Sequence, residues 1–123
     1  MTEPKMVISV IDDDDSVRRA MRRLLLSAGY DVRVFASASD FLGNAPVEKS
    51  VLVLDIQMPG MDGFELVKVL TGSGAGHPVI FITALENPEV EARAMEAGAV
   101  AFLQKPFDDQ AILDAIDRGK SFL

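Results

Sequence analysis

Polar side chains follow four short apolar runs of this sequence, and their types suit the handling of a phosphoryl group. Asp12–Asp15 follow the first run, Asp55 follows the third, Thr83 the fourth and Lys105 the fifth. Clustered carboxylates repel one another unless they are protonated or share a cation, and Mg²⁺ binds such oxygen ligands while keeping several waters. An ammonium and a hydroxyl nearby would add donors for phosphoryl oxygens. The set therefore predicts a site for a divalent cation and a phosphoryl group.

Within this set, Asp55 is the expected nucleophile. An aspartate can attack an activated phosphate and form an acyl phosphate, and Asp55 is a single carboxylate at the end of a predicted central strand. A metal ion would clamp the oxygens of the transferring group, while Lys105 would neutralise the charge that develops on them.

The elements that must position these residues are five strands. Continuous apolar runs of four to six residues are typical of strands buried on both faces of a parallel sheet. One of the five alternates in polarity, which favours a place near the sheet edge. The predicted strands are Met6–Ile11, Asp31–Phe35 (the alternating one), Val51–Leu54, Val79–Ile82 and Val100–Leu103.

Helical patterns separate the strands. They cover Ser16–Ala28, Ser37–Leu42, a segment around Phe64, Val67 and Leu70, a segment from Asn87 to Gly98, and a last segment after Asp108. Asp15 is the expected N-cap of the first helix, and Gly29 follows its end. Five β-α units predict an α/β fold with a parallel, doubly wound sheet and helices on both faces. Ligands of such sheets bind at the carboxyl ends of the strands, where the polar set stands.

Composition excludes several classes of protein. A chain of 123 residues predicts one domain, and the absence of cysteine excludes a disulfide scaffold and a thiolate zinc site. The net charge of −7 disfavours direct nucleic-acid binding. Because no apolar run is long enough for a signal peptide or a membrane span, we expect a cytoplasmic protein without a membrane contact.

The acidity is concentrated in the candidate site. Without Asp12–Asp15 and Asp55, fourteen acids face twelve bases and the net charge is −2. Asp14 and Asp15 also suit a solvated turn at the start of the first helix. The arginines of that helix are expected on an exposed face; they are Arg18, Arg19, Arg22 and Arg23. Gly72–Gly76 lacks the lysine and the spacing of a phosphate-binding loop.

Four segments resemble the receiver domain of two-component response regulators. They are Ile-Asp-Asp-Asp-Asp-Ser-Val-Arg-Arg (11–19), Val-Leu-Val-Leu-Asp-Ile-Gln-Met-Pro-Gly-Met-Asp-Gly (51–63), Ile-Thr-Ala (82–84) and Leu-Gln-Lys-Pro-Phe (103–107). Residues 98–107 are similar to the FixJ-type subfamily. The resemblance covers essentially the whole chain. It implies a flavodoxin-like fold with strand order 2-1-3-4-5 and a single receiver domain over residues 1–123, with no output domain in this chain.

The resemblance also implies roles for individual residues. Asp55 would accept a phosphoryl group from a sensor histidine kinase, and Thr83 and Lys105 would contact that group. Mg²⁺, for which Mn²⁺ can substitute, would bind Asp13 and Asp55 directly. The remaining implied metal contacts are the main-chain carbonyl of Gln57 and, mostly through water, Asp12.

Activation and output are implied in the same way. Phe102 would occupy the aromatic switch position that turns inward on activation, and Thr83 would be the second switch residue. The Lys105–Pro106 bond would be cis. The switched surface would be the fourth helix, fifth strand and fifth helix, residues 87–120, through which phosphorylation-linked dimers form. Enzymatic activity would be limited to self-phosphorylation and slow self-dephosphorylation, whose rate Gln57 and Leu85 should influence. FixJ-type members usually carry a helix-turn-helix domain, so a role in transcription regulation is expected.

Two other functions fit a sheet of this kind. A phosphatase with an aspartyl nucleophile generally places a second aspartate two residues after the first, but this chain has Gln57 there, and an amide is no proton donor at neutral pH. A flavodoxin-like electron carrier would favour aromatic residues beside the flavin, and the chain has no Trp and a single tyrosine, Tyr30. Treatment with acetyl phosphate and Mg²⁺ distinguishes the three functions.

Overall fold

Five strands alternate with five helices along the chain. The computed structural model describes residues 6–46, 50–74 and 76–123, so part of the predicted Gly72–Gly76 stretch, Ala75, lies outside the described residues. The elements are β1 (Val7–Ile11), α1 (Asp15–Ser27), β2 (Asp31–Phe35), α2 (Ala38–Asn44), β3 (Ser50–Asp55), α3 (Gly63–Gly72), β4 (Val79–Thr83), α4 (Pro88–Glu96), β5 (Ala101–Gln104) and α5 (Asp109–Lys120).

The strands form one parallel sheet in the order β2-β1-β3-β4-β5. This confirms the predicted fold class, strand order and edge position of β2. The register aligns the carboxyl ends of neighbouring strands: Ile11 lies opposite Leu54, and Thr83 lies opposite Gln104. Because the chain leaves each strand at the same edge, the residues that follow β1, β3, β4 and β5 are neighbours in space.

Apolar side chains cover both faces of the sheet and form two cores. Met21 of α1 and Ile112 of α5 pack with Val53 and Ile80 on one face. On the other face, α2, α3 and α4 pack over a second core, which includes Phe41, Phe64, Phe81, Leu54 and Ala94. Successive residues of β3 and β4 point to opposite faces, as the period of a strand requires. Burial on both sides explains why these strands are continuous apolar runs.

The N-cap of α1 differs from the sequence prediction by one residue, whereas the glycine at its C-terminal end agrees with it. Asp14, and not the predicted Asp15, is the N-cap, and its carboxylate accepts hydrogen bonds from the amides of Ser16 and Val17. Asp15 is instead the first helical residue, where a negative charge is favourable. Gly29 adopts a φ of 95° after the helix, as expected for a left-handed C-terminal residue.

Helix α4 is held less deeply than the others. It buries a single residue, Ala94, and Val90 is partly buried beside it. The guanidinium of Arg93, on α4, lies 4.2 Å from the centre of the Phe64 ring of α3.

Among the helices in the part of the chain that the structure describes, none combines the length and the apolar character that a membrane span requires.

Gly63 allows α3 to begin directly beneath the end of β3. A Cβ atom at this position would lie 2.7 Å from the Asp55 carbonyl oxygen and 3.0 Å from Ile56 Cα, and neither backbone atom can move away as a side chain would. The Gly63 amide donates a hydrogen bond of 2.9 Å to the Ile56 carbonyl. The start of α3 is therefore packed against the backbone that carries Asp55.

We predict that Gly63→Ala lowers the free energy of unfolding by about 2 to 3 kcal/mol, because the added methyl group forces the backbone apart. The matched control is Gly43→Ala in α2, whose Cβ would meet no atom within 4 Å; it should be neutral or stabilising by up to about 1 kcal/mol. Urea unfolding followed by circular dichroism measures both. Equal stabilities of the two variants would contradict the close approach.

Candidate functional site

The backbone itself places the predicted residues at one edge. The Asp12 amide donates to the Phe35 carbonyl at 3.1 Å, and the Lys105 amide donates to the Thr83 carbonyl at 2.7 Å. These bonds continue the ladders one residue beyond β1 and β5. The structure therefore brings together Asp12, Asp55, Thr83 and Lys105 from four separate strands, as the sequence predicts.

Asp12 is fully buried at this edge, with no exposed surface. One of its carboxylate oxygens, Oδ2, accepts a 2.7 Å hydrogen bond from the Lys105 ammonium. The other, Oδ1, accepts a 2.9 Å bond from the Asp14 amide. A buried carboxylate is stable only when its oxygens are paired, and here both are.

Asp55 is almost as deeply buried as Asp12, but its negative charge is less well compensated. It is 5% exposed, its Oδ2 lies 3.5 Å from the Lys105 ammonium, and its Oδ1 accepts a bond from the Gln57 amide. Burial and the negative charge of Asp12 raise the pKa of Asp55 to about 6, although Lys105 and the Gln57 amide act in the opposite direction. The side chains of the site thus carry more negative charge than Lys105 balances.

The Lys105 ammonium forms ion pairs with the carboxylates of both Asp12 and Asp55. Burial by itself lowers the pKa of its ammonium, but the hydrogen bond to Asp12 and the charges of Asp12 and Asp55 outweigh that effect, and the pKa is raised. Lys105 is accordingly a permanent cation at the site. Its peptide bond to Pro106 is cis, the form that the sequence resemblance implies.

Asp13 completes a set of oxygens suited to a divalent cation. One carboxylate oxygen from each of Asp12, Asp13 and Asp55 lies within 4.8 Å of the others. Asp13 is exposed while the other two are buried, so the set opens to solvent on one side. A hard cation that keeps several of its waters fits such a half-open group of oxygens, and the excess of negative charge favours it.

The remaining predicted residues surround this centre. Thr83 is fully buried, and its hydroxyl oxygen accepts a 3.1 Å bond from the Leu85 amide. Gln57 and Leu85 line a cavity that opens beside Asp13. Phe102 is partly buried and packs against the core beneath α2, α3 and α4. Thr83 therefore ends β4 at the site, and Phe102 lies in the neighbouring strand β5.

Arg18 is a site residue that the sequence did not predict. We expected the arginines of α1 on an exposed face, and Arg19 fits that expectation with a side chain that is 72% exposed. The Arg18 side chain is only 18% exposed, and its guanidinium donates to the Asp12 carbonyl at 2.7 Å. Its spacing from Met21 and Leu25, three and seven residues, is the signal that places it beside the buried stripe.

Comparison with known proteins now identifies the family. The family model described as the response regulator receiver domain matches residues 8–117. The chain belongs to the response regulator receiver family. It is 43% identical over 110 residues to the transcriptional regulatory protein FixJ of Azorhizobium caulinodans, which covers 89% of this chain and 52% of that protein. It is 39% identical over 111 residues to the transcriptional regulatory protein TdiR of Thauera aromatica, covering 89% and 49% respectively.

Solved structures agree with this assignment. The structure titled FixJ-N is 37% identical, has a TM-score of 0.90 and is matched over 98% of both chains. That of the response regulator StyR is 48% identical with a TM-score of 0.89, covering 97% of this chain and 61% of the other. By sequence and by structure, this receiver is FixJ-like. The chain spans about half the length of the FixJ and TdiR relatives.

We predict that Asp55→Asn stabilises the metal-free receiver above pH 6. The folded pKa of about 6 lies above the ordinary value of 3.8, so the folded protein holds this proton more tightly than the unfolded chain. Stability is therefore present at low pH and is lost as the pH rises through this window. Removing the carboxylate should raise the free energy of unfolding by up to roughly 3 kcal/mol at about pH 7.5, and by much less near pH 4.

Urea unfolding in the presence of EDTA at both pH values measures this difference. Asp114→Asn, which changes an exposed carboxylate of α5, is the matched control and should show little pH-dependent difference. A variant at Asp55 that is no more stable than the wild type at the higher pH would contradict the uncompensated charge.

Proposed function

We propose that this receiver accepts a phosphoryl group on Asp55 from the phosphohistidine of a sensor histidine kinase. The observation that supports it is the juxtaposition of three carboxylates and the Lys105 ammonium at one sheet edge, with Asp13 open to solvent. Asp55 lies in the middle of this group and is 5% exposed. A phosphoryl donor would therefore reach Asp55 from the side where Asp13 is exposed to solvent.

The transfer is a displacement at phosphorus. A carboxylate oxygen of Asp55 forms the new P–O bond, the P–N bond of the phosphohistidine breaks, and its electron pair returns to the imidazole nitrogen. Lys105 is placed to pair with the negative oxygens of the group as it arrives. The Thr83 hydroxyl accepts from Leu85, so its own proton is available to donate to a phosphoryl oxygen.

Asp12, Asp13 and Asp55 are the residues that would hold Mg²⁺, or Mn²⁺ in its place, together with the main-chain carbonyl of Gln57. The bound ion would neutralise the phosphoryl oxygens. Asp12 already uses both carboxylate oxygens, toward Lys105 and the Asp14 amide, which favours contact with the ion through water. Asp13 is exposed, which favours direct contact.

Phosphorylation would act on the surface formed by α4, β5 and α5. The modification adds about two negative charges and three acceptor oxygens, and these bias a surface that already has two arrangements. Thr83 and Phe102 connect the site to this surface, because Thr83 ends β4 and Phe102 lies in the neighbouring β5. The expected output is phosphorylation-dependent homodimerisation.

The wider setting of the domain follows from its relatives. FixJ and TdiR are named as transcriptional regulatory proteins, and we propose that this receiver likewise controls transcription, through an output domain or a partner, in the cytoplasm. Residues 1–123 act as one receiver domain in this scheme. Its own enzymatic activity is limited to self-phosphorylation and slow hydrolysis of the aspartyl phosphate.

We predict that acetyl phosphate with Mg²⁺ gives a stable aspartyl phosphate, with one phosphoryl group per chain. Asp55→Asn and EDTA should each abolish the product, whereas Asp114→Asn should retain it, because only the first carboxylate lies at the site. Phosphate-affinity electrophoresis and intact-protein mass spectrometry measure the modification. Persistence of the product in the Asp55 variant would overturn the proposal, and rapid multiple turnover without accumulation would instead indicate a phosphatase.

We predict that beryllofluoride, a mimic of the phosphoryl group, makes the receiver dimerise in sedimentation velocity experiments. Met95→Glu should weaken that dimer, since Met95 is a 49% exposed apolar side chain on α4. The matched control is Val69→Glu, at a 41% exposed position on α3, which should leave dimerisation intact. A receiver that stays monomeric with beryllofluoride, or equal effects of both variants, would contradict the α4-β5-α5 surface.

A further inference from the structure

Arg18 is turned toward the carboxylate cluster, unlike its neighbours on α1. Its Nη1 donates to the Asp12 carbonyl oxygen at 2.7 Å, and its Nη2 lies 3.2 Å from Asp15 Oδ1. The planar guanidinium thus spans two acceptors, the backbone of the buried aspartate and a side chain on the first turn of the helix. A guanidinium is suited to such a two-pronged contact, while a lysine ammonium is a point charge on a flexible chain.

Four polar groups of Asp12 accept or donate hydrogen bonds, and the contact with Arg18 fixes one of them. The Asp12 amide bonds to Phe35, and its two carboxylate oxygens bond to Lys105 and the Asp14 amide. Arg18 holds the fourth group, the carbonyl oxygen. That oxygen lies in the same rigid plane as the Asp13 amide. Fixing it therefore sets the direction in which the chain leaves Asp12 and the place of the Asp13 Cα.

Asp13 is the exposed member of the cluster, so its position depends on the backbone. On its far side, the carboxylate of Asp14 caps α1 by accepting from Ser16 and Val17. Arg18 supplies the corresponding restraint on the near side, through Asp12. Asp13 thus sits between two fixed backbone points, and its carboxylate oxygen lies within 4.8 Å of those of Asp12 and Asp55.

We propose that Arg18 is a positioning residue for the cation site: by clamping the Asp12 carbonyl, it preorganises Asp13 for a divalent cation. This inference rests on the proposed function. Residues that orient metal ligands typically affect metal affinity by about 10- to 100-fold when removed. Arg18 contacts the Asp12 carbonyl oxygen and the Asp15 carboxylate, neither of which is among the proposed ligand atoms.

Charge and positioning predict opposite results for Arg18. If the guanidinium acted only as a positive charge near the carboxylates, it would repel Mg²⁺, and its removal would strengthen binding. If it positions Asp13, its removal weakens binding even though a repulsive charge is lost. The sign of the change therefore separates the two roles.

The experiment is a Mg²⁺ titration of the whole chain followed by ¹⁵N NMR, with the amide signals near Asp13 and Asp55 as the readout. Arg18→Gln should raise the Kd by about tenfold and Arg18→Lys by about threefold, since lysine keeps the charge and one of the contacts. The matched controls are Arg22→Gln and Arg22→Lys, at an exposed position on the same helix, and should stay within about twofold of the wild type. Urea unfolding of each variant shows whether it is folded during the titration.

Equal Kd values for Arg18→Lys and Arg22→Lys, or tighter binding by Arg18→Gln, would overturn the positioning role. The lysine pair decides the outcome even if Arg18→Gln fails to fold, because neither member changes the net charge. Absence of Mg²⁺-dependent shifts in the wild type would overturn the proposed cation site, and this role with it. Normal wild-type binding with unaffected Arg18 variants would overturn the role of Arg18 alone.

Discussion

The ammonium of Lys105 lies between two buried carboxylates, and this unequal pairing governs the rest of the site. It bonds to Asp12 at 2.7 Å and reaches Asp55 at 3.5 Å. Removing charges from water costs several kcal/mol for each ion, and one positive charge cannot fully compensate two negative ones. The unmet part of that cost falls on Asp55, whose pKa is raised to about 6. The site therefore favours the gain of a positive charge, which would offset the negative charge that Lys105 leaves uncompensated.

The geometry of the site is a consequence of backbone register rather than of loops. The strands β1, β3, β4 and β5 end at the same edge, each within one residue of its neighbour, and ladder hydrogen bonds continue past β1 and β5. Gly63 then lets α3 begin against the Asp55 carbonyl. A shift of one residue in any of these strands would turn its terminal side chain to the other face of the sheet. The sheet is thus the rigid part on which the exposed Asp13 is mounted.

Much of this arrangement could be predicted from the sequence. Five apolar runs of strand length, four of them followed by an acid, a hydroxyl or a lysine, predicted both the parallel sheet and the edge where those groups meet. The predicted N-cap of α1 was wrong by one residue. Four consecutive aspartates are equally good N-caps by residue type, and only the backbone conformation shows which of them begins the helix. The burial of Asp12 beside an exposed Asp13 depends on tertiary packing. Arg18 was assigned to solvent because the four arginines of α1 were treated as one exposed face, although its spacing from Met21 and Leu25 places it beside the buried stripe.

The shallow packing of helix α4 bears on how the proposed signal would leave the site. Its anchorage is one buried alanine, a partly buried valine and the stacking of Arg93 on Phe64, and a contact of the last kind is worth about 0.5 to 2 kcal/mol. In the proposed function, a phosphoryl group that gained two or three charge-assisted hydrogen bonds, each worth about 1.5 to 3 kcal/mol, would supply free energy of at least the size of the Arg93–Phe64 contact. The strands, buried on both faces, resist the same force. In the proposed function, the rigid part of the domain is the sheet that carries Asp12 and Asp55, and the less buried part is α4, where a partner would sense the change.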